Sequence, residues 1–141
     1  MIRKAIPEDF NEIYLINKNS LGYEYPLEKT KENLSEFLKK SDHIIFVYTV
    51  DEKSVGYIHL QEYQTVYSDK YYNCLGLAVL DEYKRRGIGK ALLTEAEKQA
   101  KLNGAVGVRL NSGASRVSAH EFYKSCGYED TKTQKNFKKI L

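Results

Sequence analysis

The spacing of apolar positions changes along the chain and predicts its elements. Residues 2–6 alternate weakly as a short strand, and after Pro7 apolar residues recur at helical intervals over residues 10–17. A second apolar stripe, set among lysines and glutamates, covers residues 27–40. The first part of the chain is therefore predicted to be a strand followed by two amphipathic helices.

Segments rich in β-branched and aromatic residues follow these helices. Residues 43–50 and 55–60 have this composition and flank a polar turn at residues 51–53, which predicts a hairpin. Residues 71–79 predict a further strand.

The second half of the chain alternates helices and strands. Its segments predict, in order, a helix over 87–102, a strand over 106–110, a helix over 115–125 that Gly127 ends, and a strand in the tail 132–141. The whole order, β-α-α-β-β-β-α-β-α-β, is typical of an α/β fold in which helices flank a mixed sheet. No repeat or linker interrupts it, so we expect a single domain over residues 1–141.

Composition and charge narrow the classes of function. The 141 residues are 42% apolar and 29% charged, as in an ordinary globular domain. The net charge of +3 is too small to indicate nucleic-acid binding. No apolar run approaches the roughly 20 residues of a membrane span, and the N-terminus lacks the features of a signal peptide. We therefore expect a cytoplasmic protein that binds neither nucleic acid nor membrane.

The cysteines and histidines form no recognisable metal or redox motif. Cys74 and Cys126 are far apart and form no CxxC pair, so we expect both to be buried as small hydrophobic residues. His43, His59 and His120 are isolated in the sequence, and no metal is expected. The aromatic composition is unusual, with 12 Tyr, 5 Phe and no Trp, and each buried tyrosine needs a hydrogen-bond partner.

The most informative segment joins the strand at 71–79 to the next helix. It contains three consecutive cations, Lys84 to Arg86, and then Gly87 and Gly89 where the helix begins. Backbone N–H groups at a helix N-terminus bind anions, and glycines let the backbone approach them closely. The turn therefore predicts a phosphate or diphosphate site, although the glycines alone would fit a solvated basic turn. It is neither a P-loop nor a dinucleotide fingerprint.

Three motifs of the chain resemble those of the GCN5-related N-acetyltransferase (GNAT) superfamily and follow one another in the family's order. Residues 77–79 are similar to its splayed strand, residues 84–89 resemble its [RQ]xxGx[GA] cofactor loop, and residues 119–128 are similar to its AxxFYxxxGF segment. The resemblance implies the GNAT fold, a mixed, mostly antiparallel sheet with a splayed central pair of strands, and acetyl-CoA as co-substrate. Its pantetheine would pair with the backbone of residues 77–79, and its diphosphate would bind N–H groups of residues 85–90.

The cofactor contacts implied by this resemblance extend to the later motif. The complete set is Leu77, Ala78, Val79, Lys84, Arg85, Arg86, Gly87, Ile88, Gly89, Lys90, Asn111, Arg116, Phe122 and Tyr123. Two positions depart from the family pattern. Lys84 replaces Gln or Arg, and Arg116 stands where the family often has Asn. Arg116 would reach either a CoA phosphate or an acidic substrate, and Asn111 would supply the amide.

The chemistry requires a neutral amine, donors for the developing oxyanion and a proton for the departing thiolate. The resemblance implies Tyr123 as the general acid, with packing beside Phe122 as its alternative role. Residues 73–76 offer no strand carboxylate as a base. Glu62 is the first substitute, His59 the second and a water chain the third.

The acceptor side is expected between the first two helices and the connection 63–72. Residues 23–25 and the tyrosines of that connection would form an aromatic wall with a few acids, which could hold an amine. We expect an N-acetyltransferase that modifies a primary amine of a small metabolite or a protein terminus. The alternative is a CoA-binding regulatory or interaction module without turnover, because the strand carboxylate is missing. A homodimer is left open.

Overall fold

The computed structural model describes residues 1–141 and divides them into two compact units, Met1–Leu110 and Asn111–Leu141. The first unit contains β1 Ile2–Lys4, α1 Phe10–Ile16, α2 Leu27–Leu38, β2 His43–Val50, β3 Lys53–Tyr63, β4 Tyr71–Val79, α3 Ile88–Leu102 and β5 Gly107–Arg109. The second unit contains α4, Val117–Ser125. A π-helical turn, Asn17–Leu21, continues α1. No helix has the length and apolar character needed to cross a bilayer.

The five strands form one sheet in the order β1-β2-β3-β4-β5. The first four strands are antiparallel neighbours, whereas β4 and β5 are parallel and pair only from Tyr71↔Gly107 to Asn73↔Arg109. Beyond Asn73 the two strands separate, and the outer edge of β4 from Cys74 to Val79 pairs with no strand. The expected mixed, mostly antiparallel sheet with a splayed pair is confirmed, although the pair lies at the end of the sheet.

A β-bulge distorts β4 where the strand leaves β5. His59 of β3 pairs with Gly76, but Leu60 pairs with Cys74, so Leu75 is an extra residue on β4. Bulges bend a strand and redirect its side chains, and they are frequent beside active sites. The bend therefore coincides with the start of the unpaired edge.

Helices cover both faces of the sheet, and β3 shows which residues face each layer. A Cβ at Gly56 would lie 3.3 Å from Leu92 of α3, whereas the Tyr57 side chain reaches Asn17, directly after α1. Because side chains alternate along a strand, the even-numbered residues from Gly56 to Glu62 face α3, and the odd-numbered ones face α1 and α2. Ile58, Leu60 and Leu92 are fully buried in the α3 layer.

A buried carboxylate joins the N-terminal segment to β3. Asp9 is 4% exposed and accepts two hydrogen bonds of 2.8 Å from Arg3, one of 2.8 Å from the N–H of Ile6 and one of 3.3 Å from Ser54. Burial alone would raise the pKa of Asp9, but these donors outweigh it and hold the pKa below its usual value. The cluster fixes the entry of the chain into α1.

The strand expected in the tail 132–141 is wrong. These residues form no regular element, and Phe137, Ile140 and Leu141 are each more than four-fifths exposed. Phe137 and Ile140 are three residues apart with two lysines between them, and Leu141 follows Ile140 directly, so no period-two pattern supports one buried strand face. The other elements agree with the sequence-based order, with ends shifted by a few residues.

Candidate active site

The unpaired edge of β4 is the first component of the candidate site. Ala78 and Val79 are 6% and 8% exposed, so packing fixes this end of the strand. The outer backbone edge pairs with no strand of the sheet. Such an edge can hydrogen-bond an extended ligand as if it were an added strand. The structure thus places Leu77, Ala78 and Val79 where an extended chain can lie against them.

The basic turn between β4 and α3 is the second component. Arg85 has φ 63° and Gly87 has φ 79°, and these left-handed residues turn the chain into Ile88, the first residue of α3. The helix has no side-chain cap and no acidic residue in its first turn. The N–H groups of a first helical turn lack partners within the helix, and its dipole favours an anion. The N-terminus of α3, which includes Gly89 and Lys90, is therefore suited to a phosphate group.

Neighbouring side chains hold two cations of this turn in place. Lys84 Nζ lies 2.7 Å from Asp81 Oδ1, and the guanidinium of Arg86 lies over the Tyr83 ring at 5.1 Å from its centroid. Both cations remain mostly exposed. The aromatic contact and the ion pair orient positive charge without covering it.

A cavity on the α1 and α2 side of the sheet is the third component. It has a volume of about 470 Å³ and is lined by Tyr14, Asn17, Gly22, Tyr23, Glu24, Tyr25 and Thr30. A second cavity of about 240 Å³ shares Tyr14, Glu24 and Tyr25 with it. Glu24 is the one carboxylate in either lining, and Lys18 adds a cation to the smaller cavity, so only the larger one combines tyrosine rings with a single negative charge.

Two hydrogen bonds connect the turn that borders the cavity to the central strands. The Tyr57 hydroxyl on β3 donates to Asn17 Oδ1 at 2.6 Å, and Ser20 Oγ donates to the carbonyl of Val79 on β4 at 3.0 Å. Asn17 and Ser20 both belong to the π-helical turn after α1, a type of distortion that is frequent at functional sites. Sequence reasoning missed all three polar side chains, although a buried tyrosine must find a partner.

His43 and His59, which are isolated from each other in the sequence, form a pair in the fold. His43 Nδ1 and His59 Nε2 are 2.8 Å apart and share one hydrogen bond, and the Phe37 ring packs on both at 4.5 and 4.9 Å between centroids. Burial lowers the pKa of His59 to about 4 and also lowers that of His43. The two residues are 16 apart in the chain, and strand pairing brings them together.

Glu62 and the tyrosines of the 63–72 connection are not part of the cavity lining. Glu62 is exposed and pairs with Tyr72, on the face of β3 that carries Ile58 and Leu60. Tyr72 is 1% exposed and accepts a hydrogen bond of 3.1 Å from Asn103, the residue directly after α3. The cavity takes its tyrosines from α1 and the α1–α2 connection instead, including the expected residues 23–25.

The two cysteines are only partly buried, which corrects the expectation of core residues. Cys74 Sγ donates to the carbonyl of Gly76 at 3.6 Å, and burial raises the pKa of the thiol to about 11. A thiol with a raised pKa is a poor nucleophile at neutral pH. Cys74 is therefore neither a fully buried packing residue nor a reactive thiol. Its side chain donates to the carbonyl of Gly76 beside the bulge.

The second unit carries the remaining candidates. Asn111 and Arg116 are exposed, and Arg116 is the N-cap residue of α4. Phe122 and Tyr123 are half-buried and pack edge to face, with ring centroids 5.3 Å apart, and Tyr123 packs similarly on Tyr128 at 5.9 Å. Within this unit the later motif thus forms one aromatic cluster on and after a short helix.

A splayed strand edge, an uncapped helix behind a basic turn and an adjoining cavity together define an acyltransferase architecture. Residues 5–128 match the model of the acetyltransferase (GNAT) family, and the chain belongs to this family. It is an acyltransferase. Members of the family use acetyl-CoA.

Individual relatives agree with this assignment. The chain is 32% identical to an N-alpha-acetyltransferase of Sulfurisphaera tokodaii, covering 96% of this chain and 84% of that protein. It is 28% identical to an N-alpha-acetyltransferase of Saccharolobus solfataricus, with the same coverage. An aminoglycoside N-acetyltransferase structure in complex with CoA superposes with a TM-score of 0.90 at 16% identity, covering 100% of this chain and 95% of that one. That last likeness concerns the fold.

Proposed function

We propose that the protein transfers the acetyl group of acetyl-CoA to a primary amine by direct attack. The acceptor is the α-amino group of a peptide or protein terminus, or the amine of a small metabolite. The observation that carries the proposal is the hydrogen bond from Ser20 to the carbonyl of Val79 on β4, because Ser20 belongs to the same turn as Asn17, which lines the cavity that contains Glu24. An amine held in that cavity by charge and by aromatic rings would lie beside the strand that is open to an extended ligand.

The first unit supplies groups that fit acetyl-CoA. The open edge of residues 77–79 suits its pantetheine, and the N–H groups and cations from Lys84 to Lys90 suit its diphosphate. When bound, acetyl-CoA supplies an activated thioester and a thiolate leaving group. In the second unit, Asn111, Arg116 and Phe122 are proposed as further contacts to this substrate.

The reaction forms one N–C bond and breaks one C–S bond. A backbone N–H near Val79 polarises the thioester carbonyl, and Tyr123 protonates the departing thiolate. A phenol with a reference pKa of about 10 stays protonated at neutral pH, as a general acid must. The residues of the protein would thus stabilise the oxyanion and return a proton, while the amine itself acts as the nucleophile.

The acceptor amine must lose a proton before or during attack. Glu62 lies on the α3 face of the sheet and the cavity on the other, so Glu62 is poorly placed as the base. His59 is on the cavity face, but burial lowers its pKa to about 4 and makes it a weak base. Deprotonation through water is therefore the route we favour among the three.

Release of free CoA thiol tests the proposal directly. Peptides with free N-termini form the first panel, because the relatives are N-alpha-acetyltransferases; aminoglycosides and simple alkylamines form the second. We expect turnover with at least one panel, and acetyl-CoA at millimolar concentration should raise the melting temperature. No turnover with any amine would overturn the proposal, and no thermal shift would overturn the cofactor assignment.

Substitution of Tyr123 tests the general acid. Tyr123→Phe should lower kcat more than it weakens acetyl-CoA binding, because the hydroxyl acts on the leaving group. Tyr128→Phe, which alters the neighbouring ring of the same aromatic cluster, is the matched control and should retain kcat. Equal kcat values for the two variants would remove Tyr123 from the mechanism.

A further inference from the structure

The Tyr57 side chain packs against Gly76 of β4, where the missing Cβ leaves room for it. Its side chain is on the cavity face of β3, and the residue is 9% exposed. A Cβ added at Gly76, beside the β4 bulge, would lie 3.2 Å from the Tyr57 hydroxyl, closer than ordinary van der Waals contact. Burial raises the pKa of this phenol to about 12, so the hydroxyl keeps its proton at neutral pH. Tyr57 is thus a buried, permanent hydrogen-bond donor beside the bulge.

The hydroxyl of Tyr57 fixes the orientation of a cavity-lining amide. It donates to Asn17 Oδ1 at 2.6 Å, and Asn17 contributes to the lining of the 470 Å³ cavity. With the amide oxygen held by Tyr57, the Nδ2 group is the remaining end of the Asn17 side chain, and no acceptor of the protein takes up its hydrogens. An amide has two donor hydrogens on this nitrogen. The cavity therefore contains an oriented, unused donor.

The donor at Asn17 complements the carboxylate at Glu24. The cavity lining offers one anionic group, suited to an ammonium, and one amide donor, suited to a carbonyl oxygen. A peptide N-terminus carries both partners, because its first carbonyl lies close to the α-amino group. A simple alkylamine carries only the first. The polar groups of the lining thus favour the peptide.

We propose that Asn17 binds the acceptor through Nδ2, which donates to the first carbonyl of an N-terminal peptide, and that Tyr57 positions the Asn17 amide for this contact. Asn17 is then a specificity-determining residue, and Tyr57 acts through it. This inference rests on the proposed function, since it places the acceptor in the Glu24 cavity, and it selects peptides from the two acceptor classes.

Steady-state kinetics with matched acceptors test this inference. The substrates are a short peptide and an alkylamine that has the same first side chain but no carbonyl. Asn17→Asp keeps the size of the side chain and replaces its NH₂ donor by an oxygen, and Tyr57→Phe removes the positioning hydroxyl. The ratio of KM for the peptide to KM for the alkylamine should rise about five- to tenfold in each variant, the effect of one hydrogen bond. The ratio is the informative quantity because the added charge of Asn17→Asp attracts both ammonium groups. KM for acetyl-CoA should stay within twofold, and the double variant should add little to the change in ratio of either single one.

Two further measurements keep the test decisive. Gly76→Ala pushes against the Tyr57 hydroxyl and should reproduce the Tyr57→Phe profile, which guards against a variant that merely fails to fold. Nuclear magnetic resonance provides a readout without turnover, because the side-chain amide signals of Asn17 should shift when the peptide is added. An active enzyme whose ratio of peptide KM to alkylamine KM is unchanged in Asn17→Asp and in Tyr57→Phe would overturn the inference and leave the proposed function intact. If the wild type acetylates no amine, the proposed function fails, and absence of the amide shift then overturns the inference as well.

Discussion

Ser20 Oγ donates a hydrogen bond of 3.0 Å to the carbonyl oxygen of Val79, although 59 residues separate the two in the chain. Ser20 belongs to the π-helical turn that leads into the cavity lining, and Val79 is the last residue of β4. This contact fixes the turn to β4, the strand proposed to hold acetyl-CoA, and the bond between Tyr57 and Asn17 fixes the same turn to β3. The two sides of the proposed reaction are thereby kept in one relative position.

Removing the Ser20 hydroxyl should loosen this attachment. Ser20→Ala loses a part-buried hydrogen bond, so the free energy of unfolding should fall by about 1 kcal/mol. KM for the acceptor should rise more than KM for acetyl-CoA, because the turn that holds Ser20 also carries Asn17 of the cavity lining. Denaturant unfolding and steady-state kinetics measure the two effects. Ser35→Ala on α2, whose hydroxyl makes no hydrogen bond in the structure, is the control and should show neither.

The Arg3–Asp9 pair should contribute measurably to stability. Arg3→Met leaves a carboxylate that is 4% exposed without two of its donors, which should lower the free energy of unfolding by about 1–3 kcal/mol at pH 7. The pKa of folded Asp9 is held below 3.8, so its contribution is present above that pH and is lost as the pH falls further. The loss of unfolding free energy caused by Arg3→Met should therefore become smaller as the pH falls below 3.8.

The matched control for Arg3→Met is an exposed ion pair. Lys39 and Glu36 are 68% and 64% exposed, and such pairs contribute at most about 1 kcal/mol. Lys39→Met should thus change unfolding by far less at every pH. Urea denaturation at several pH values distinguishes the variants, and equal penalties for both would contradict the assignment of Asp9 as a buried, paired carboxylate.

Local patterns in the sequence were sufficient for the elements that carry the cofactor motif. The strand at residues 71–79 and the helix that begins at the glycine turn were predicted almost to the residue, because periodicity and helix-start signals depend on neighbours in the chain. The strand predicted in the tail was wrong for the opposite reason. A strand there would depend on a partner elsewhere in the fold, and the apolar residues at 137, 140 and 141 have no strand periodicity.

Polar contacts across strands and layers could not be predicted in the same way. The histidine pair arises because β2 and β3 are neighbours, and the bond between Tyr57 and Asn17 joins residues 40 apart. Neither pair forms a sequence motif. The composition gave only the general requirement that buried tyrosines need partners, which Tyr57 and Tyr72 satisfy through asparagine side chains.

The left-handed residue before α3 should be important for cofactor binding. Gly87→Ala introduces a Cβ into open space, but φ 79° is unfavourable for alanine and should cost about 1 kcal/mol of stability. Gly127 after α4 has φ 90° and equally open surroundings, so Gly127→Ala is a control with the same backbone strain. Both variants should melt lower, but only Gly87→Ala should reduce the stabilisation by CoA. An equal reduction in both variants would contradict the placement of the diphosphate at the N-terminus of α3.

The buried histidine pair should make stability depend on pH in the acid range. His59 has a folded-state pKa of about 4, against 6.5 for an ordinary histidine, so the unfolded chain binds more protons between these values. Stability contributed by the neutral ring is complete above pH 6.5 and is lost as the pH falls towards 4, by roughly 3 kcal/mol for a shift of this size. Burial is the main cause of the lowered pKa of His43, the charge of Asp42 raises this pKa, and that of Lys40 lowers it. The Phe37 ring packs on both histidine rings.

Replacing His59 by an aromatic residue that does not titrate tests whether the histidine pair causes this pH dependence. His59→Phe keeps an aromatic surface against Phe37 and should flatten the curve of unfolding free energy between pH 4 and 6.5. His120→Gln on α4 lies outside the pair and should leave the curve unchanged. Proton titration of the histidine resonances checks the cause separately, because the His59 signal should stay in its neutral position until well below pH 6.5. A normal titration of His59, or an unchanged curve in His59→Phe, would show that the pair does not control the acid sensitivity.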